Sequence, residues 1–151
     1  MRENRILWIE DDFYAIKGLV RPLQNEGFLF DIAQSALEAY HKGQVWKSYD
    51  LILVDLILPS NNVSDQVPSV VQSWEFNSEY LGIEVVKWLL TEVKAECPVV
   101  ILSVVRDPIS RFNLHNIGVA GYILKRGLLP STLRDGILGI LGKMPPNKAC
   151  I

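Results

Sequence analysis

Cysteine is nearly absent. Cys97 and Cys150 are the only two in 151 residues, and two thiols so far apart make no disulfide framework. Together with His41 and His115 they also show none of the close ligand spacings of a zinc site, which favours a reduced, cytoplasmic setting. A surplus of either charge is missing as well: 15 Lys and Arg face 17 Asp and Glu, for a formal net charge of −2. That balance leaves no basic excess to neutralise a phosphate backbone and argues against direct nucleic-acid binding by the domain as a whole. Long apolar runs are lacking too. No stretch approaches the roughly 20 residues of a membrane span, and the opening MRENRILWIEDD reaches its acidic residues too early for the apolar region of a secretion signal. What remains is the profile of one compact, soluble, slightly acidic domain in which 49% of the residues are hydrophobic.

Within that profile, short apolar runs alternate with helix-length amphipathic segments to the end of the chain, the pattern of a βαβ domain. The runs are Ile6–Ile9, Phe28–Phe30, Leu51–Val54, Val99–Leu102 and Val119–Leu124. Most are apolar at successive positions, as expected of parallel strands covered by helices on both faces. Helices are predicted over about Phe13–Glu26 and from Ser35, with Glu38 completing a capping box, to about Val45. Three more are predicted over Gly82–Ala95, from Asp107-Pro108 to near Gly118, and over Ser131–Leu141. That makes five strand–helix units.

One segment breaks the rhythm. Ser60 to Tyr80 is polar and rich in Ser, Asn and Val, whereas βα connections usually run about 2–6 residues. Trp74, Phe76 and Tyr80 cluster near its end, which implies that this end packs against something. After Gly142 the paired prolines Pro145 and Pro146 end any helix, so the tail reads as a linker.

In an open parallel sheet, ligands sit beyond the carboxyl ends of the strands. Here those ends carry Glu10-Asp11-Asp12, Asp55, Ser103 and Lys125. Taken singly, each has a plainer explanation. Asp12 suits a helix N-cap, Ser103 is uninformative, and Lys125 suits a solvated strand end; a capping role is weaker for Asp55, because Leu56-Ile57-Leu58 follows and starts no helix. Their combination at one edge is what points to chemistry. Clustered carboxylates repel unless a cation joins them, and an oxygen-only ligand set suits Mg²⁺. Lys125 and the Ser103 hydroxyl would then complement charge on a phosphoryl group reaching Asp55.

The stretches Ile6–Asp12, Asp55–Pro59, Ser103 and Gly121–Lys125 occur in an order and spacing that resembles the receiver domain of bacterial two-component response regulators, over residues from about 5 to 142. The resemblance implies an α/β, three-layer (βα)5 flavodoxin-like fold with a five-stranded parallel sheet in the order 2-1-3-4-5. It divides the chain into a receiver domain over 1–142, with an insertion over about 60–81, and a C-terminal tail or linker over 143–151. It implies that Asp55 accepts a phosphoryl group from a histidine kinase or phosphotransfer protein. Mg²⁺ would be held by Glu10, Asp11, Asp55 and the carbonyl of Ile57, although a shift by one, to Asp11 and Asp12, is an alternative for the acidic pair. Lys125 would contact the acyl phosphate, Ser103 would move toward it, and Tyr122 would change rotamer as the signal. A homodimer would form through the face of the fourth predicted helix, fifth strand and fifth predicted helix.

The departures are Val104, where the family commonly has a small residue; Arg126, where it usually has proline; and the long segment before Gly82. They keep a second reading in view, a phosphate-independent protein-interaction module using the receiver scaffold and the 60–81 insert. A phosphatase of the haloacid-dehalogenase type is disfavoured because Ile57 stands where a second aspartate is needed. An FMN site is disfavoured because Glu10-Asp11-Asp12 would repel phosphate where an anion nest is required.

Overall fold

The structure is a computed structural model in which residues 4–58, 67–74 and 79–142 are described. Pro59, half of the 60–81 segment, Phe76 included, and the 143–151 tail fall outside the described residues.

Five parallel strands form one sheet: β1 (Arg5–Ile9), β2 (Leu29–Ala33), β3 (Leu51–Asp55), β4 (Val99–Ser103) and β5 (Gly121–Leu124), in the order β2-β1-β3-β4-β5. The apolar runs were continuous for a simple reason. Alternate residues of each strand enter two separate cores: Leu7, Ile9, Ile52, Val54, Val99 and Ile101 line one face, and Ile6, Trp8, Leu51, Leu53, Val100 and Leu102 line the other. The first face is covered by α2 (Ala36–Gly43), α3 (Ser69–Ser73) and α4 (Leu81–Lys87). A wider turn of helix over Trp88–Glu92 extends α4. The second face is covered by α1 (Phe13–Asn25) and α6 (Pro130–Ile140). No helix among the described residues is long and apolar enough to cross a membrane.

Local chemistry sets the helix starts. The Asp12 carboxylate accepts from the Ala15 N–H at 3.1 Å and caps α1, whose Ile16, Val20 and Leu23 then fall on the buried stripe. Ser35 accepts from the Glu38 N–H at 3.1 Å, while Glu38 reaches back to the Gln34 N–H at 2.6 Å. This is a capping box displaced by one residue on its return bond.

Three expectations need correction. β2 runs on to Ala33 because Asp31, a polar residue in an edge strand, is held by Arg5 at 3.0 Å and by the Tyr49 hydroxyl at 2.8 Å. β5 starts at Gly121, not Val119. The helix predicted from Asp107 to Gly118 is only four residues, α5 (Pro108–Arg111). Beyond it Asn113 and Asn116 take φ of 54° and 70°, left-handed conformations that asparagine tolerates and no α-helix contains.

The insert's end does pack. Trp74 is buried and lies edge-on to Tyr40 of α2 and to Trp88, with ring centroids 6.4 and 5.7 Å away. Tyr80 packs against Phe112. Trp8 and Trp88 are buried, and His41 and His115 are exposed, as their sequence contexts suggest.

Candidate functional site

The register aligns the strand ends. Ile9 lies beside Val54, Asp55 beside Leu102, and Ser103 beside Leu124. The residues at or just past these ends therefore meet at one edge of the sheet.

Lys125 is the centre of that meeting. Its Nζ donates to Glu10 Oε2 at 2.8 Å and to Asp55 Oδ2 at 2.9 Å. Glu10 and Asp55 are almost fully buried, while Lys125 is partly exposed. Asp11, exposed on the next residue, completes a group with Glu10 and Asp55 whose carboxylate oxygens all lie within 4.8 Å of one another. Asp12 is not in this group and is occupied by its capping bond. The second oxygen of Asp55 accepts from the Ile57 N–H at 3.0 Å, which fixes the rotation of the carboxylate. The Asp12 N–H approaches Glu10 Oε1 at 3.4 Å.

These neighbours set the protonation of the pair. Burial pushes Glu10 up to about 7; the Lys125 hydrogen bond opposes this, and the Asp55 charge adds to it. For Lys125, burial pulls downward, but hydrogen bonds to Glu10 and Asp55 outweigh it and hold the ammonium above its ordinary value. One cation shared between two buried carboxylates stays charged, and the two acids compete for it.

Above the pair opens a cavity of about 560 Å³. Glu10, Asp11, Asp12, Asp55 and Lys125 form its polar floor; Ile57, Leu58 and Val104 form apolar walls, and Glu79 and Tyr80 close one side. Glu79 and Tyr80 were not expected here. They come from the end of the polar segment, which has no periodicity to place it, and the only signal was the clustering of Trp74, Phe76 and Tyr80.

Ser103 and Tyr122 stand apart. Ser103 is fully buried, and its Oγ accepts from the Val105 N–H at 3.0 Å instead of facing the cavity. Its carbonyl accepts the Lys125 N–H at 2.7 Å, which ties the lysine backbone to β4. Tyr122 points outward from β5 and is 45% exposed. Val104 is 49% exposed at the rim, and Arg126 is exposed.

The donor set fits a hard divalent cation. Three carboxylates converge with only oxygen to offer, and Ile57 lines the same cavity.

This arrangement is seated in the fold of CheY-like response regulator receiver domains. The chain is similar to the non-phosphorylated HemR receiver domain from Leptospira biflexa, with a TM-score of 0.70 and 18% identity over 97% of this chain and 100% of that one. It is similar to a CheY-like receiver domain protein from Methanospirillum hungatei JF-1, with a TM-score of 0.67 and 20% identity over 94% and 96% of the two chains. A two-component response regulator from Clostridium difficile matches with a TM-score of 0.64 and 25% identity over 93% and 98%. No family model and no curated protein matches the sequence.

Proposed function

We propose that the chain is a phosphorylation-controlled switch of a two-component relay, a regulatory domain in which Asp55 takes a phosphoryl group from a histidine kinase or phosphotransfer protein. The observation that carries this reading is Lys125, bonded at once to Glu10 and Asp55 on the floor of an open cavity. A purely structural ion pair has no use for a third carboxylate, Asp11, or for access from solvent.

In the transfer, an Asp55 oxygen attacks the donor's phosphorus. A P–O bond forms, the P–N bond of the phosphohistidine breaks, and its electron pair stays on the imidazole, which takes up a proton. The Ile57 N–H holds the Asp55 carboxylate in place during attack. Lys125 supplies positive charge where the phosphoryl oxygens arrive, in a partly desolvated site that strengthens its effect. Glu10, Asp11, Asp55 and the Ile57 carbonyl would hold Mg²⁺, which when bound neutralises charge on the transferring group. Ser103 keeps its hydroxyl hydrogen as a donor while accepting from Val105. Contact with a phosphoryl oxygen therefore requires the end of β4 to move, and Tyr122, exposed two strands from Asp55, would answer by changing rotamer. The same reading takes 1–142 as the receiver domain and 143–151 as its tail, places the protein in the cytoplasm, and gives it a second copy of itself as partner through α5, β5 and α6.

Incubation with acetyl phosphate or phosphoramidate and Mg²⁺ is expected to add one phosphoryl group by intact mass, and Asp55→Asn to abolish it. Undiminished labelling of that variant overturns the assignment.

A further inference from the structure

We propose that Tyr80 is a positioning residue that carries the state of the Asp55 cavity to the α5 segment. The proposal rests on the phospho-acceptor reading of Asp55 and goes beyond it by naming a path that neither Ser103 nor Tyr122 provides.

Tyr80 touches both ends of that path. It lines the cavity, and its ring packs on Phe112, at the end of α5, with centroids 4.9 Å apart. The Arg111 guanidinium lies 5.9 Å from the Tyr80 ring centre and 5.4 Å from that of Phe112, so a cation spans both aromatics. The backbone of Tyr80 is fastened on the other side. Its carbonyl accepts the Ile83 N–H at 2.9 Å, and Gly82 donates to the Leu56 carbonyl at 3.0 Å. A Cβ at Gly82 would overlap the Asp55 carbonyl oxygen and Leu56 Cα. No slack exists between Asp55 and the start of α4, so a displacement of the β3 end moves Tyr80 with it.

The receiving segment is suited to respond. α5 is one turn long, begins at Asp107 with φ of 49°, and is followed by Asn113 and Asn116 in left-handed conformations. Its bonds are local, running from the Arg111, Phe112 and Leu114 N–H groups to the Asp107, Pro108 and Ile109 carbonyls, so the turn can shift as a unit. Ser103, by contrast, is buried and bonded to Val105, outside the cavity lining. Tyr80 is the aromatic that faces the cavity and α5 together.

The test is an amide-resolved NMR spectrum of the full chain with Mg²⁺, before and after beryllium fluoride as a phosphoryl mimic. In the wild type, amides at the cavity (Ile57, Val104) and in the α5 segment (Ser110, Arg111, Asn113) are expected to shift. Tyr80→Ala is expected to keep the cavity shifts and lose most of those in the α5 segment, and Tyr80→Phe to retain both. Phe112→Ala is expected to reproduce the loss from the other side, and carries the test should Tyr80→Ala fail to fold. An α5 response that survives Tyr80→Ala or Phe112→Ala overturns the proposal, as does its loss in Tyr80→Phe. Cavity shifts with a silent α5 segment in the wild type overturn the coupling alone. A wild type with no cavity shift overturns the phospho-acceptor reading and the coupling with it.

Discussion

Gly82 stands directly against Asp55. Its N–H donates to the adjoining Leu56 carbonyl at 3.0 Å, and a Cβ at this position would overlap the Asp55 carbonyl oxygen. The obstacle is backbone, which has no rotamer to yield. Gly82→Ala is therefore expected to cost about 1–3 kcal/mol as overpacking, to lower Tm by several degrees, and to slow phosphorylation of Asp55. Gly18 provides the opposite sign. It is exposed within α1, with no heavy atom within 4 Å of a Cβ built there, so Gly18→Ala is expected to stabilise by about 0.5–1 kcal/mol. Thermal and urea unfolding of the two variants read both effects; equal responses would remove the case for a close contact at Asp55.

Lys125 holds Glu10 Oε2 and Asp55 Oδ2, on two of the carboxylates that would also hold a divalent cation. Lys125→Ala is expected to leave two buried carboxylates facing each other, to destabilise the metal-free protein at neutral pH, and to tighten Mg²⁺ binding because the competing ammonium is gone. Phosphorylation by acetyl phosphate should nevertheless collapse. Titration calorimetry separates the two effects: weaker Mg²⁺ binding in the variant would mean that the lysine organises the metal ligands and does not compete for them.

Most of this site was legible because it sits at strand ends. Glu10, Asp11, Asp55, Ser103 and Lys125 directly follow or close continuous apolar runs, and such runs are hard to mistake where both sheet faces are buried. Reading failed where a local backbone preference or a tertiary partner decided the structure. Asp31 hid the second half of β2, since nothing in its neighbourhood announces Arg5 and Tyr49 as partners. Asn113 and Asn116 ended α5 early by adopting positive φ, a choice asparagine permits without dictating. Tyr80 and Glu79 reach the cavity from a segment with no periodic signal. The aromatic clustering showed that this segment packs, without showing where.

Trp74 tests how firmly that packing holds. It is buried between Tyr40 and Trp88, and α3 presents Val71 to the same core. Trp74→Ala is expected to cost about 3 kcal/mol or more, with Trp88 emission moving toward that of a solvated indole. Phosphorylation at Asp55 should persist, since Trp74 is absent from the cavity lining. A variant as stable as the wild type would show that the segment rests on the core without contributing to it.

Cys97 reports on local opening of the other end of the sheet. Burial pushes its thiol up to about 11, and its Sγ contacts the Trp46 carbonyl at 4.0 Å. Little thiolate exists near neutral pH, so alkylation should be slow in the native protein and fast in urea. The sign follows from the raised value: the neutral thiol's contribution to stability is complete below its ordinary pKa and is lost only as pH climbs toward about 11. Cys150→Ser leaves Cys97 as the single thiol, and rapid modification of that variant under native conditions would contradict the raised value of this half-buried thiol.

Glu10 sets the pH response of the site. Its folded value near 7 lies above its ordinary 4.5, with burial as the main cause, so the fold favours the protonated acid. The contribution to stability is therefore complete below about 4.5 and is lost as pH rises through about 7. Cation binding has the opposite need, because only the carboxylate is a ligand. The metal-free protein is expected to lose stability between about pH 5 and 8, and Mg²⁺ affinity to rise over the upper part of that range. Excess Mg²⁺ should restore the lost stability above pH 7. Urea midpoints against pH, with and without Mg²⁺, measure both trends. Glu10→Gln should flatten the metal-free profile and weaken Mg²⁺ binding at every pH; a variant that kept the wild-type slope would assign the titration to another group.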